Sequence, residues 1–120
     1  MVRRVVGVEA MTMTFSALGE PSRLRIVELL RRGPSSVGDI AEALGIRQPQ
    51  VSKHLKVLAE AGIVVGERVA KRRLYRLEAR RFTELERWLG SFEPLWEARL
   101  DSLGRLLDSL DGRSADGADA

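Results

Sequence analysis

The stretch that most limits what this chain can become is QPQVSKHLKVLAEAG, residues 48–62. Val51, Leu55 and Leu58 fall at i, i+4 and i+7, the spacing of an apolar stripe on one face of a helix, and such a stripe must be buried against something else. Gln50, Ser52, Lys53 and Lys56 are turned away from it, Gln48 stands at the helix start, and Glu60 is the one acid in the segment. The pattern predicts a helix with two working faces, one that packs and one that offers amides, a hydroxyl and ammonium groups outward. Donors of this kind on the first turns of a helix suit base edges and phosphates in a major groove, but they also suit an ordinary wet surface. The flanking segments decide between the two.

Upstream, Ser36-Val37-Gly38-Asp39 has the S-x-x-D form of a helix cap, with an acid in the first turn. Val37, Ile40, Ala41 and Leu44 then predict a short helix, and Gly45-Ile46-Arg47 a tight turn, with Gly45 in the left-handed conformation and Ile46 plugging the space between helices. Two short helices joined by such a glycine-containing turn form the helix-turn-helix pattern. Before it, Pro21 to Arg32 reads as a helix that packs through Leu24, Val27, Leu29 and Leu30, with Ile26 at the margin, and that Gly33-Pro34 ends. Thr14 to Gly19 reads as a further short helix.

Downstream, Gly62 closes the helix, Ile63-Val64-Val65 and Leu74-Tyr75-Arg76-Leu77 are β-prone, and GERVAKRR lies between them. This predicts a β-hairpin wing with Lys71, Arg72 and Arg73 at its tip, against a sugar-phosphate backbone or in a minor groove. The plainer alternative is an edge hairpin kept apart from other edges by its charge. The distribution of charge favours the former. The net +3 of the chain divides into +1 over residues 1–46, +6 over 47–76 and −4 over 77–120. The positive charge is thus concentrated where a polyanion would be met.

From Phe82 onward, Phe82, Leu85, Leu89, Phe92, Trp96, Leu103, Leu106 and Leu110 keep alternating steps of three and four, with Arg99 interrupting the row. Gly90 and Pro94 predict a break near residues 90–92, with Ser91 able to cap a second helix running to about Leu110. An arm this apolar exceeds what a small core covers, so part of it is expected to form a two-fold dimer interface. Trp88, Phe92 and Trp96 lining a small-molecule pocket is the rarer alternative.

These segments together resemble the ArsR family of bacterial winged helix-turn-helix repressors. The resemblance rests on FSALGEPSRLRIVELL, SVGDIAEALGIRQPQVSKHLKVLAEAGIV and RRLYRL, covers roughly Phe15 to Leu77, and extends more loosely over the C-terminal helices. It implies a homodimer that binds an inverted repeat in double-stranded DNA and represses a promoter. By the family's pattern Gln48, Gln50, Ser52, Lys53 and His54 sit in the DNA groove. Ser36, Arg47, Lys56, Arg68, Lys71, Arg72, Arg73 and Tyr75 are the expected backbone contacts. Phe15, Leu18, Phe82, Leu85, Leu89, Phe92, Trp96, Leu103 and Leu106 are the expected dimer contacts.

Two departures from the family pattern matter. Metal-sensing members carry a cysteine pair around the start of the helix before recognition; here Ser36 and Gly38 stand in those places, the chain has no cysteine, and its single histidine is His54. One imidazole does not make a three- or four-ligand zinc site, so neither metal nor cofactor is expected. Where the wing of the family often turns on Glu-Gly, this chain has Val69-Ala70, which leaves the tight turn open but not the charge. FEPLWEARLDSL resembles members that lack metal sites and are often encoded beside a partner gene, so an effector, small molecule or protein, is left unidentified.

The expected architecture is mostly α with a small β-hairpin, a winged helix-turn-helix with C-terminal dimerisation helices. Residues 1–12 are expected to be a flexible leader, with Met11 and Met13 as alternative starts, 13–80 the DNA-binding domain, 81–110 the dimerisation arm of the same compact domain, and 111–120 a disordered tail. At 120 residues, 44% apolar and 31% charged, the chain suits one soluble domain, and it holds no run of 18 apolar residues. A cytoplasmic, nucleoid-associated protein is expected, without membrane contact. No acid-base constellation, nucleophile with its base or phosphate-binding glycine loop is present, so no enzymatic chemistry is expected. Two other functions use the same surfaces: a non-specific architectural protein, and an adaptor whose recognition helix binds protein.

Overall fold

The structure is a computed structural model that describes the backbone of residues 2–119 and the side chains of residues 7–95 and 97–111. Its elements follow in the order α1 (Val2–Leu18), α2 (Pro21–Leu30), α3 (Val37–Leu44), α4 (Gln48–Glu60), β1 (Val64–Val69), β2 (Arg72–Leu77), α5 (Ala79–Gly90) and α6 (Glu93–Asp119). The chain divides into two compact units, residues 1–85 and residues 86–120.

The core of the first unit explains why three short helices hold together. Ile26, Val27 and Leu30 of α2, Ile40 and Ala41 of α3, and Val51, Leu55 and Leu58 of α4 are buried in one cluster with Ala17 of α1, and Ala61, Ile63 and Val64 close it. Each large aliphatic side chain taken fully out of water contributes about 1.5–3 kcal/mol, so the stripe on α4 anchors that helix firmly enough to leave its other face free. The α2 face differs from expectation. Ile26 is wholly buried, whereas Leu24 is 46% exposed. Apolar residues lie on more than one side of α2, and the position of α3 and α4, invisible in local spacing, selects the side that packs.

The ends of these helices follow local chemistry. Glu20 caps α2 by accepting a hydrogen bond from the Arg23 N–H at 2.9 Å, ahead of Pro21. Ser36 caps α3, its Oγ accepting from the Asp39 N–H at 3.1 Å, and Gly45 ends α3 at φ +66°. Gly62 carries φ +77° and is confined a second way: a Cβ there would lie 2.5 Å from the Arg81 guanidinium that spans it.

β1 and β2 pair antiparallel from Val64↔Leu77 to Val69↔Arg72, leaving Ala70-Lys71 as a two-residue connection. The outer edge of β2 is also engaged, because Ser35 and Tyr75 exchange backbone hydrogen bonds of 3.0 and 2.8 Å. Ala70 takes φ +57°, so the tight turn that glycine would make easily is made here by alanine.

Both ends of the chain differ from the sequence expectation. Helix α1 begins at Val2, where an extended leader was expected through residue 12. Val2, Val5, Val6, Gly7 and Val8 are weak helix formers, but Met11, Thr14 and Ala17 are buried, and that packing outweighs propensity. The Thr14 hydroxyl is satisfied inside the helix by donating to the Ala10 carbonyl at 2.9 Å. In the second unit α6 continues to Asp119 through residues 111–119, where a disordered tail was expected. The break between α5 and α6 falls at residues 91–92, as the glycine and proline spacing anticipated.

Within the second unit Trp88 and Phe92 meet edge to face, with ring centroids 5.0 Å apart. Leu89, Leu95, Leu100, Leu103, Leu106, Leu107 and Leu110 are all exposed in the single chain, Leu100 by 63%. In the first unit Phe15 is exposed, Leu18, Phe82 and Leu85 are half-buried, and Phe82 packs on the core. The side chain of Trp96 lies outside the described residues. Among the described residues no helix is long and apolar enough to cross a membrane.

Candidate nucleic-acid interface

The outward face of α4 is set by what its inward face buries. With Val51, Leu55 and Leu58 sealed at 0–1% exposure, the helical repeat turns Lys53 most directly away from the core, flanked by Gln50, Ser52 and Lys56, all exposed. Gln48 is exposed at the junction with α3, where its side-chain amide stands 3.6 Å from the place a Cβ on Gly38 would occupy. The start of α4 carries no side-chain cap and no acid in its first turn, since Arg47 precedes it. The partial positive charge at that end is therefore left to an outside anion.

His54 does not share this face. It is half-buried, and its Nδ1 lies 3.8 Å from the Glu20 carboxylate that caps α2. One step along the helix from Lys53 carries the imidazole round to the α2 side. Tyr75 is also engaged within the protein. Its ring packs against the core cluster, its main chain bridges Ser35, and the Arg73 guanidinium lies 5.6 Å above the ring centroid. Gly66 makes room for both side chains, because a Cβ there would approach Arg73 Nε at 2.9 Å and Tyr75 Cε1 at 3.0 Å.

The basic residues of α4, its N-cap and the wing fall into two groups. Among the described residues, Arg47, Lys53, Lys56, Arg68, Lys71 and Arg73 are exposed and have no acidic partner within 4.0 Å. Arg72 and Arg76 are engaged. Arg72 Nη2 donates to Asp39 Oδ2 at 2.9 Å and to Ser36 Oγ at 3.1 Å, and Arg76 Nε donates to Glu67 Oε1 at 2.8 Å. Ser36 Oγ accordingly accepts twice, from the Asp39 N–H that it caps and from Arg72. The pairing of Arg72 with Asp39 is not legible in the sequence, because the two lie 33 residues apart, beyond any local pattern.

A two-faced helix at the end of a glycine turn, followed by a cationic hairpin, is the architecture of a winged helix-turn-helix DNA-binding protein. Comparison with known proteins specifies the class. The model of the family described as bacterial regulatory protein, arsR family, matches residues 20–65. The HTH-type transcriptional regulator Rv2034 of Mycobacterium tuberculosis is 37% identical over 95 residues, 79% of this chain and 86% of that protein. The HTH-type transcriptional regulator NmtR of the same organism is 48% identical over 64 residues, and there the match spans 53% of each chain, about half the length of that relative. Among solved structures, the homodimeric winged helix-turn-helix DNA-binding domain Mb0332 from Mycobacterium bovis superposes with a TM-score of 0.61 at 27% identity, covering 75% of this chain and 86% of that one. The chain belongs to the ArsR family. It is thereby a transcriptional regulator with a DNA-binding fold, not an enzyme.

Proposed function

We propose that the chain acts as a homodimeric repressor that reads an inverted-repeat operator without sensing a metal. The observation that carries the reading is the exposed face of α4, where Gln50, Ser52 and Lys53 stand opposite a fully buried stripe at the acid-free start of the helix. Inserted in a major groove, the amide of Gln50 pairs with an adenine edge, while Ser52 and Lys53 reach bases or phosphates beside it. Lys56, Arg47, Arg68 and Lys71 supply phosphate contacts around that helix. Two copies related by a two-fold axis place their helices in successive major grooves, with half-sites about one helical turn apart.

The apolar side chains left exposed on α6, from Leu95 to Leu110, supply the kind of surface that a second copy covers. Support for the metal-free reading comes from the α3 cap, where Ser36 is tied to Asp39 and Arg72 and Gly38 has no side chain to offer.

Competition between the promoter of its own gene and random duplex tests the reading. Repression through an operator requires a clear preference, whereas a ratio near one identifies a non-specific architectural protein. Gln50→Ala should cost about 1–3 kcal/mol at particular base pairs and little elsewhere. Equal weakening on every sequence would remove Gln50 from the readers.

A further inference from the structure

We propose that Arg72 is a positioning residue for DNA reading and not a phosphate contact: its guanidinium clasps the wing to the first turn of α3, so that α4 and the wing tip meet DNA as one rigid body. The inference rests on the reading of α4 and the wing as a DNA interface.

Arg72 opens β2 directly after the two-residue connection, so its side chain is attached at the far end of the hairpin. From there Nη2 reaches Asp39 Oδ2 at 2.9 Å and Ser36 Oγ at 3.1 Å, both on the cap of α3. The same Ser36 Oγ accepts the Asp39 N–H, so cap, acid and guanidinium form one closed hydrogen-bonded group. A second brace lies three residues along the strand, where the Tyr75 main chain pairs with Ser35. The two braces leave the strand about 10 Å apart, at about 3.3 Å per residue, and converge on the adjacent Ser35 and Ser36, with Asp39 one helical turn on. A two-stranded hairpin held at its base alone is marginal in water and swings freely at the tip.

The rest of the path is stiff. Ser35 and Ser36 lead into α3, and α3 is locked to α4 by the Gly45 turn and by Ile40 and Leu55 in the shared core. Lys71, adjacent to Arg72, and Arg68, opposite Arg73, are thereby held at a set distance from Gln50 and Lys53. To offer Nη2 to a phosphate, Arg72 would have to surrender both partners and release the tip it holds. Because Arg72 and Asp39 are 62% and 60% exposed, the clasp adds little to folding stability, and its effect is on orientation.

The test is a double-mutant cycle in DNA binding with wild type, Arg72→Ala, Asp39→Ala and the double variant. Each is measured on the full operator duplex and on a duplex trimmed of the flanks beneath the wings. Removing an acid near DNA ordinarily tightens binding, so a loss on Asp39→Ala carries information in its sign. The clasp requires both single variants to bind the full operator about two- to fivefold more weakly, the double variant to be no weaker than Arg72→Ala, and all four to agree on the trimmed duplex. Tighter or unchanged binding by Asp39→Ala, additive losses, or losses that persist on the trimmed duplex would each overturn it. Should Asp39→Ala lower the thermal midpoint, Asp39→Asn, which keeps a polar first turn without the charge, takes its place under the same criteria. Lys53→Ala is measured alongside. If wild type shows no operator preference or Lys53→Ala binds as wild type does, the DNA reading itself falls; if both behave as expected and Asp39→Ala does not weaken binding, the clasp alone falls.

Discussion

Substituting Lys71 and Arg76 separately distinguishes a working cation from an engaged one, although the two lie five residues apart in the same wing. Lys71 is exposed at the tip with no acid near it, whereas Arg76 is held by Glu67 at 2.8 Å and approached by Glu78 at 3.9 Å. Each phosphate neutralised on duplex DNA contributes about 0.9 to the slope of log K against log salt. The six unpaired cations of α4 and its surroundings (Arg47, Lys53, Lys56, Arg68, Lys71 and Arg73), doubled in a dimer, therefore limit the wild-type slope to about −11. Lys71→Ala removes two of those contacts and should make the slope shallower by about 1.8, so that between about 50 and 200 mM salt the variant loses about tenfold less affinity than wild type. Arg76→Ala should leave the slope nearly unchanged. Fluorescence anisotropy of a labelled operator across a salt series reads both. A slope untouched by Lys71→Ala, or reduced equally by Arg76→Ala, refutes the division of the basic residues into free and engaged.

Other expectations follow from single positions. Ala70→Gly relieves a left-handed alanine at an exposed turn and should stabilise the fold by about 0.5–1 kcal/mol, read by urea unfolding; a lower midpoint would show that the turn is not strained. His54→Ala should leave the base preference of the protein unchanged, because the imidazole faces Glu20; a changed base at any position in a randomised-site selection would return His54 to the readers. Operator affinity should be the same with added zinc and after chelation, and a shift of more than about threefold, or ~0.65 kcal/mol, would point to a metal-dependent state.

How far local pattern reaches is visible at particular residues. Val51, Leu55 and Leu58, the Ser36 cap and the left-handed Gly45 are set by spacing and by backbone conformation within a few residues, and all three were legible. Ile26 was misplaced because α2 has more apolar residues than its one packed side can use. Over residues 2–12 the valines argue against helix locally, while Met11 and Thr14 of the same helix are buried, which local spacing does not reveal. The roles of His54, Arg72 and Arg76 depend on Glu20, Asp39 and Glu67, which come from other elements. Counting bases along a chain measures charge but does not say which charges are already satisfied.

The leucines of α6 carry a consequence for how much of this regulator a cell can keep. A row of exposed apolar side chains from Leu95 to Leu110 makes the lone chain a substrate for proteases and for non-specific adhesion. A partner that covers it stabilises by mass action, so persistence depends on concentration. Chains made in small numbers would be lost faster than chains made in excess. Under that regime the abundance of the regulator would respond to its own synthesis more steeply than in proportion, and a switch-like promoter would need no further component.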